Sequence, residues 1–135
     1  MCSPSNQKQA EAVVPTKDAD RELPVPSSWR STFQEIVQAL VDEDYQLARG
    51  ISDVDPVSAD TAEHIRSYVE EYGEVLSPLP DETWHSSVSQ WSGSHWNVIV
   101  DLWTEGEGPS DLVLQAFVRE SEGGYRFDIH MVYVP

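Results

Sequence analysis

The stretch NVIVDLWTEGEGPSDLVLQAFV, residues 97–118, contains two apolar runs separated by a short acidic segment. Apolar residues recur at every second position in both runs, which is typical of β-strands because side chains alternate across a strand. The glycines and the proline of EGEGPS are turn residues. The stretch therefore predicts a β-hairpin, with Asp101 inside the first strand and Asp111 at the start of the second. A position beside the turn is ordinary for an aspartate, so Asp101 is the stronger functional candidate.

The same alternation continues on both sides of this hairpin. It predicts four strands at residues 83–91, 95–104, 111–120 and 125–134. The connections SGS, EGEGPS and GG are short, and short connections join antiparallel neighbours. We expect an antiparallel meander.

Apolar residues upstream recur at the 3.6-residue spacing of helices. One helix is predicted after Ser28, and a second begins after Ser58 or Asp60 and ends at Gly73. Two N-terminal helices before four strands indicate an α+β domain whose helices pack on one face of the sheet. The predicted helix stripes are Trp29, Phe33, Ile36, Val37, Leu40 and Val41, then Ala62, Ile65, Val69 and Tyr72.

The N-terminal segment differs from the rest in composition. Residues 1–26 hold four of the nine prolines and show no periodicity, which predicts a disordered N-terminal arm before a single domain at residues 27–135. The one cysteine, Cys2, has no partner for an intramolecular disulfide. The sequence contains neither an apolar run that would span a membrane nor the apolar segment of a secretory signal, so a cytoplasmic protein is expected.

The charge balance is strongly acidic, with 24 acidic against 8 basic residues and a formal net charge of -16. Residues 1–27 carry four acidic and three basic residues, so the imbalance lies in the domain. Such a surface repels phosphate backbones, and nucleic-acid binding is not expected. It suits a basic protein partner, although an acidic surface also serves solubility alone.

Alternation divides the strand residues into a core set and a mixed set of aromatic and polar residues. A three-residue loop at Ser92–Ser94 would place His85 opposite Asp101 and Trp91 opposite His95. In the same register, Asp101 faces Gln115, and a turn at Gly123–Gly124 places Arg119 opposite Asp128 and Phe117 opposite His130. The resulting candidate binding face consists of His85, Trp91, His95, Asp101, Trp103, Gln115, Phe117, Arg119 and His130.

His85 and Asp101 would form a base and the carboxylate that orients it, as in acid–base sites. A cross-strand pair on a solvent-facing sheet is the simpler explanation and is preferred. No nucleophile or oxyanion-hole motif accompanies them, and His85, Asp101 and His130 lack the spacing of a metal motif. No cofactor or metal is therefore expected, and binding is favoured over catalysis.

Residues from Leu79 to Tyr125 resemble a family of small bacterial proteins described only as a domain of unknown function. The upstream Glu70–Gly73 segment fits the resemblance, which extends over about residues 29–135. The family pattern has a basic residue where this chain has Pro109. The carrying residues are Leu79, Pro80, Trp84, Trp96, the VDLWT segment 100–104, the SDL segment 110–112 and Tyr125.

The function expected from these features is a non-enzymatic, acidic protein-binding module. In size, acidity and layout the chain also resembles proteins that neutralise bacterial toxins, an analogy of type only. The alternative is a small-molecule or enzymatic site on the exposed sheet face, which requires His85, Asp101, Trp103 and Gln115 to converge in one concavity. The sequence does not indicate the oligomeric state.

Overall fold

A computed structural model describes residues 12–135, and the α+β class is confirmed. Two α-helices, α1 at Arg30–Val41 and α2 at Ala59–Tyr72, precede most of the sheet. The sheet has five antiparallel strands in chain order: β1 at Leu23–Pro24, β2 at Val88–Trp91, β3 at Trp96–Thr104, β4 at Gly108–Ser121 and β5 at Gly124–Tyr133. The predicted meander is therefore present. The prediction of four strands was wrong, because the two residues of β1 add an edge strand beside β2.

The added strand lies within the segment that was predicted to be a disordered arm. Val25, which follows β1, is fully buried in the core. Residues 13–19 also contact the sheet, so the chain packs ahead of the boundary predicted at residue 27. Residues 1–11, the rest of that predicted arm, lie outside the described residues.

Local signals set the helix ends. Ser58 caps α2, since its hydroxyl accepts a hydrogen bond from the Thr61 amide at 3.2 Å. Gly73 ends the same helix in the left-handed conformation, φ 84°, which glycine adopts without strain. A single 3-10 turn at Ser27–Trp29 leads into α1.

The core lies between the two helices and one face of the sheet, here called the inner face. Trp29 is at its centre, and its ring packs edge-on against Trp96, Tyr125 and Phe127 at centroid distances of 5.3, 5.2 and 6.0 Å. Edge-to-face packing of this kind adds to the stabilisation from burial alone. The predicted inner-face residues of β3 and β4 are buried: Trp96, Val98, Val100, Leu102, Leu112, Leu114, Ala116 and Val118.

The register predictions were wrong at all three hairpins. The Ser92 amide donates to the His95 carbonyl, so Gly93 and Ser94 form a two-residue turn and Trp91 pairs with Trp96 instead of His95. A register change of one residue turns the whole strand over. At the other two hairpins the register differs from the prediction by two residues, so the β3 and β4 side chains stay on their predicted faces. Asp101 pairs with Val113 instead of Gln115, Arg119 with Arg126 instead of Asp128, and Phe117 with Asp128 instead of His130.

The predicted first strand begins later than expected. Residues 81–85 form a 3-10 turn, and only Val88–Trp91 pair with β3. Further along, the Ser77 amide donates to the Trp103 carbonyl, so that residues near Leu76 pair with the far end of β3. The turn at Asp81–His85 lies between these two pairing partners at the edge of β3.

Candidate functional site: the outer face of the sheet

The second face of the sheet, here called the outer face, carries most of the predicted site residues. Both helices contribute their buried residues to the core on the inner face, and neither packs on the outer face. Apolar side chains on the outer face are only partly buried, unlike those of the inner face, with the exception of Val113, which is 5% exposed. Its aromatic and aliphatic members are Ile99, Trp103, Val113, Phe117, Met131 and Tyr133.

Three of the predicted residues stack across strands β3, β4 and β5. The Phe117 ring lies between His95 and His130, with centroid distances of 4.8 and 4.9 Å. His95 Nδ1 is also 2.9 Å from the Ser94 hydroxyl in the adjoining turn. The stack forms a row of three rings across the sheet, with His130 exposed.

Gln115 lies one step along β4 from this stack. Its side-chain amide donates to Asn97 Oδ1 on β3 at 3.0 Å. The predicted pairing with Asp101 is replaced by this contact, because Gln115 is opposite Ile99 in the observed register. Alternation along β3 places Asn97 on this face, although it is not one of the predicted site residues.

Arg119 takes part in an ion cluster at the β5 side. Its guanidinium donates to Asp55 at 3.2 Å, and Arg126 also donates to the Asp55 carboxylate. These contacts lower the pKa of Asp55, with the Arg126 hydrogen bond as the largest cause and Arg119 also contributing. Asp55 also raises the pKa of Arg126. Alternation along β5 places Arg126 on the same face as Arg119. Asp55 lies in a loop, and no sequence pattern indicates its contact with the two arginines.

Asp101 and His85 do not form the predicted pair. The Asp101 carboxylate accepts a hydrogen bond from the Ser86 hydroxyl, and no hydrogen bond within residues 12–135 joins it to His85. The backbone of Asp101 is held by two buried hydroxyls, since Thr83 donates to its carbonyl and its amide donates to Ser87 at 2.9 Å. These contacts give the β3 backbone hydrogen-bond partners at a position where neither β2 nor the Leu76 segment pairs with it.

His85 instead lines a groove of about 680 Å³ beside the start of α1. Arg30 lies over the Trp84 ring in this groove, 5.6 Å from its centroid. Asp101, Trp103 and Gln115 do not line it. The four residues required by the small-molecule alternative are therefore not brought together there.

Trp91 and Trp103 occupy different surfaces. Trp91 packs on Trp96 at 4.6 Å, on the inner side of the sheet, because of the two-residue turn at Gly93 and Ser94. Trp103 is on the outer face, and its ring lies over Gly108, where a Cβ would be in ordinary van der Waals contact at 3.6 Å from Cζ3. Trp103 thus belongs to the candidate surface, while Trp91 belongs to the opposite side.

The outer face has more free carboxylates than free cations. Arg119 and Arg126 both pair with Asp55. No salt bridge within the described part of the chain includes Asp101 or Asp128, which strand pairing places on this face. The exposed Asp111, in the irregular part of β4, takes part in none of these salt bridges either. The arrangement can therefore accept positive charge beside its aromatic row.

Among residues 12–135, no cluster of three or more His, Cys, Asp or Glu side chains suits a metal ion. The same residues contain no helix long and apolar enough to cross a membrane.

A family model described as "Domain of unknown function (DUF7668)" matches residues 37–135 of the chain. No curated protein and no solved structure matches the chain.

Proposed function

We propose that this chain, which belongs to the DUF7668 family of domains of unknown function, is a protein-binding module that uses the outer face of its sheet. The observation that supports this best is the aromatic row of His95, Phe117 and His130 on a sheet face without helices. Aromatic side chains dominate the energetics of protein interfaces. An open sheet face suits a protein surface better than an enclosed small ligand.

The proposed partner is a basic protein. The chain carries a formal net charge of -16, and the two arginines of the outer face are engaged by Asp55. Asp101, Asp111 and Asp128 remain to attract cationic groups. Opposite charge accelerates encounter and disfavours acidic competitors. One form of this function is neutralisation of a basic toxin, in which the acidic module covers the toxin's working surface.

The test begins with the immobilised full chain and a nuclease-treated lysate of the organism that carries it. A basic protein that is retained is identified, purified and titrated against the chain by calorimetry at low and raised salt. The proposal expects Phe117→Ala to weaken binding by about tenfold, the equivalent of about 1.4 kcal/mol. The matched control is Tyr68→Ala on α2, where the side chain is 40% exposed and lies away from the sheet face.

Charge variants distinguish the effect of the outer-face carboxylates from the effect of the net charge of the whole chain. The pair Asp101→Asn and Asp128→Asn removes two carboxylates from the outer face, while Glu35→Gln and Glu71→Gln removes two from the helices. The first pair is expected to weaken binding clearly more than the second. Equal losses from both pairs, or an affinity unchanged by salt and by Phe117→Ala, contradict the proposed surface.

A further inference from the structure

An N-terminal segment, residues 13–19, crosses the sheet at Trp91 and Trp96. Lys17 places its ammonium 5.0 Å from the centroid of the Trp91 ring and 2.8 Å from Glu120 Oε1 on β4. Trp96, whose side chain is almost fully buried, donates its indole N–H to the Thr16 carbonyl at 2.9 Å. Gln90 donates its side-chain amide to the Ala19 carbonyl at 2.7 Å.

These contacts recognise an extended chain that carries a lysine. Two backbone carbonyls accept hydrogen bonds from the sheet side chains Trp96 and Gln90, and such contacts are independent of the sequence that supplies them. The ammonium meets an aromatic ring and a carboxylate, the two groups that attract cations most directly. The site therefore selects a lysine at one position and a backbone on either side of it.

The segment that occupies this site is also held at its two ends. Val13 exchanges backbone and side-chain hydrogen bonds with Ser27, and Asp18 organises a turn through the Asp20 amide and Arg21. Between these anchors, Val14 is 65% exposed, and Lys17 and Glu120 are each about half exposed. Contacts of exposed groups contribute little individually, so exchange of this segment for another is energetically accessible.

We propose that residues 13–19 act as a removable strap over a docking site for an extended, lysine-bearing segment of a partner protein. The strap occupies the site in the isolated chain, and a partner segment displaces it by making the same contacts with Trp91, Trp96, Gln90 and Glu120. Trp91, Trp96 and Glu120 lie on the inner side of the sheet, and Gln90, paired with Asn97, reaches the strap from the other side of the β2 edge. None of the four belongs to the row of His95, Phe117 and His130, so the site does not depend on the function proposed for the outer face.

The experiment uses the full chain and a capped synthetic peptide with the sequence of residues 13–19, VVPTKDA. Lys17→Glu places a carboxylate against Glu120 and releases the strap, whereas Lys17→Arg keeps the cation and is the matched control. Indole N–H signals in nitrogen-resolved NMR spectra report on Trp91 and Trp96. The expected result is that the peptide shifts these signals in the Lys17→Glu chain at concentrations that leave the Lys17→Arg chain unchanged.

A second peptide, with glutamate in place of the lysine, is expected to leave all spectra unchanged. Lys17→Ala repeats the test with Glu120 intact, in case Lys17→Glu fails to fold, since it removes the ammonium of the strap without adding a carboxylate. The proposal is overturned if the Trp96 signal of a folded Lys17→Glu chain stays at its wild-type position. It is equally overturned if the strap is released and the lysine peptide binds no better than the glutamate peptide.

Discussion

At the scale of single residues, buried hydroxyls replace strand pairing at the edge of β3. Thr83 is fully buried and donates to the Asp101 carbonyl, while Ser87 accepts from the Asp101 amide. A backbone group left without a partner in the interior costs more than an ordinary hydrogen bond contributes. The two side chains therefore stabilise a stretch of β3 that pairs with β4 on one edge and has no strand on the other.

Thr83→Val tests this contact because it keeps the shape of the side chain and removes the donor. The buried Asp101 carbonyl loses its partner, and the free energy of unfolding is expected to fall by about 1–3 kcal/mol. Urea denaturation measures the change. Ser86→Ala is the control, since it removes a hydrogen bond to the Asp101 carboxylate from an exposed position. An equal loss in both variants would show that burial of the Thr83 hydroxyl is unimportant.

Asp55 makes stability depend on pH. Arg126 and Arg119 hold the folded-state pKa of Asp55 below its unfolded value near 4, so its contribution is complete above that value and is lost as pH falls through the folded pKa. Asp55→Asn is expected to lower the stability at neutral pH by about 1 kcal/mol, a modest value because both arginines are partly exposed. The difference from wild type should shrink below about pH 4.

Chemical denaturation at several pH values measures this difference. Glu35→Gln on α1 is the control, because Glu35 is exposed and forms no salt bridge within the part of the chain that the structure describes. A difference between wild type and Asp55→Asn that persists unchanged at pH 2 would argue against the ion cluster as its origin.

At the scale of elements, helix α2 and the short strand β1 have different sources of stability. The start of α2 depends on a local cap, as its sequence indicates. Strand β1 consists of two residues, and its position is determined by pairing with β2 and by burial of the adjacent Val25. Neither contact is local in sequence, so composition alone assigns this segment to a flexible arm.

Ser58→Ala tests the cap of α2. The Thr61 amide loses its acceptor, and the expected loss of stability is about 1 kcal/mol. Ser67→Ala, inside the same helix, is the control and should be neutral or slightly stabilising because alanine is the better helix former. Thermal unfolding followed by circular dichroism compares the two, and a cap variant as stable as wild type would contradict the assignment.

Val25→Ala tests whether the segment next to β1 belongs to the core. Val25 is fully buried, and the loss of two methyl groups there is expected to lower stability by about 2 kcal/mol. Val14→Ala provides the control on the same N-terminal segment, where the side chain is 65% exposed and a change close to zero is expected. Comparable effects of the two substitutions on urea denaturation would show that Val25 packs no better than Val14.

At the scale of the whole molecule, charge acts in two opposite directions. A formal net charge of -16 destabilises the compact state through self-repulsion. The eight salt bridges within residues 12–135 engage six of the basic residues, so cations offset this repulsion only locally. The same charge that would attract the proposed basic partner therefore disfavours the fold in isolation.

Salt should consequently affect folding and binding with opposite signs. Screening shortens the range of electrostatic interactions to roughly 8–10 Å at physiological ionic strength. The melting temperature of the isolated chain is expected to rise with sodium chloride, while affinity for a basic partner falls. Calorimetry measures both, and a melting temperature that falls with salt would contradict dominant self-repulsion.

The sequence by itself determined the α+β class, the helix positions and the side of the sheet on which most β3 and β4 residues lie. These properties depend on local periodicity, which register changes of two residues leave intact. Only the tertiary structure decided the register, the face of Trp91, the partner of Asp55 and the packing of β1. A two-residue turn in place of a three-residue loop moves the side chains of β2 to the opposite faces of the sheet. Contacts such as that of Asp55 with Arg126 join chain segments that no local sequence pattern relates.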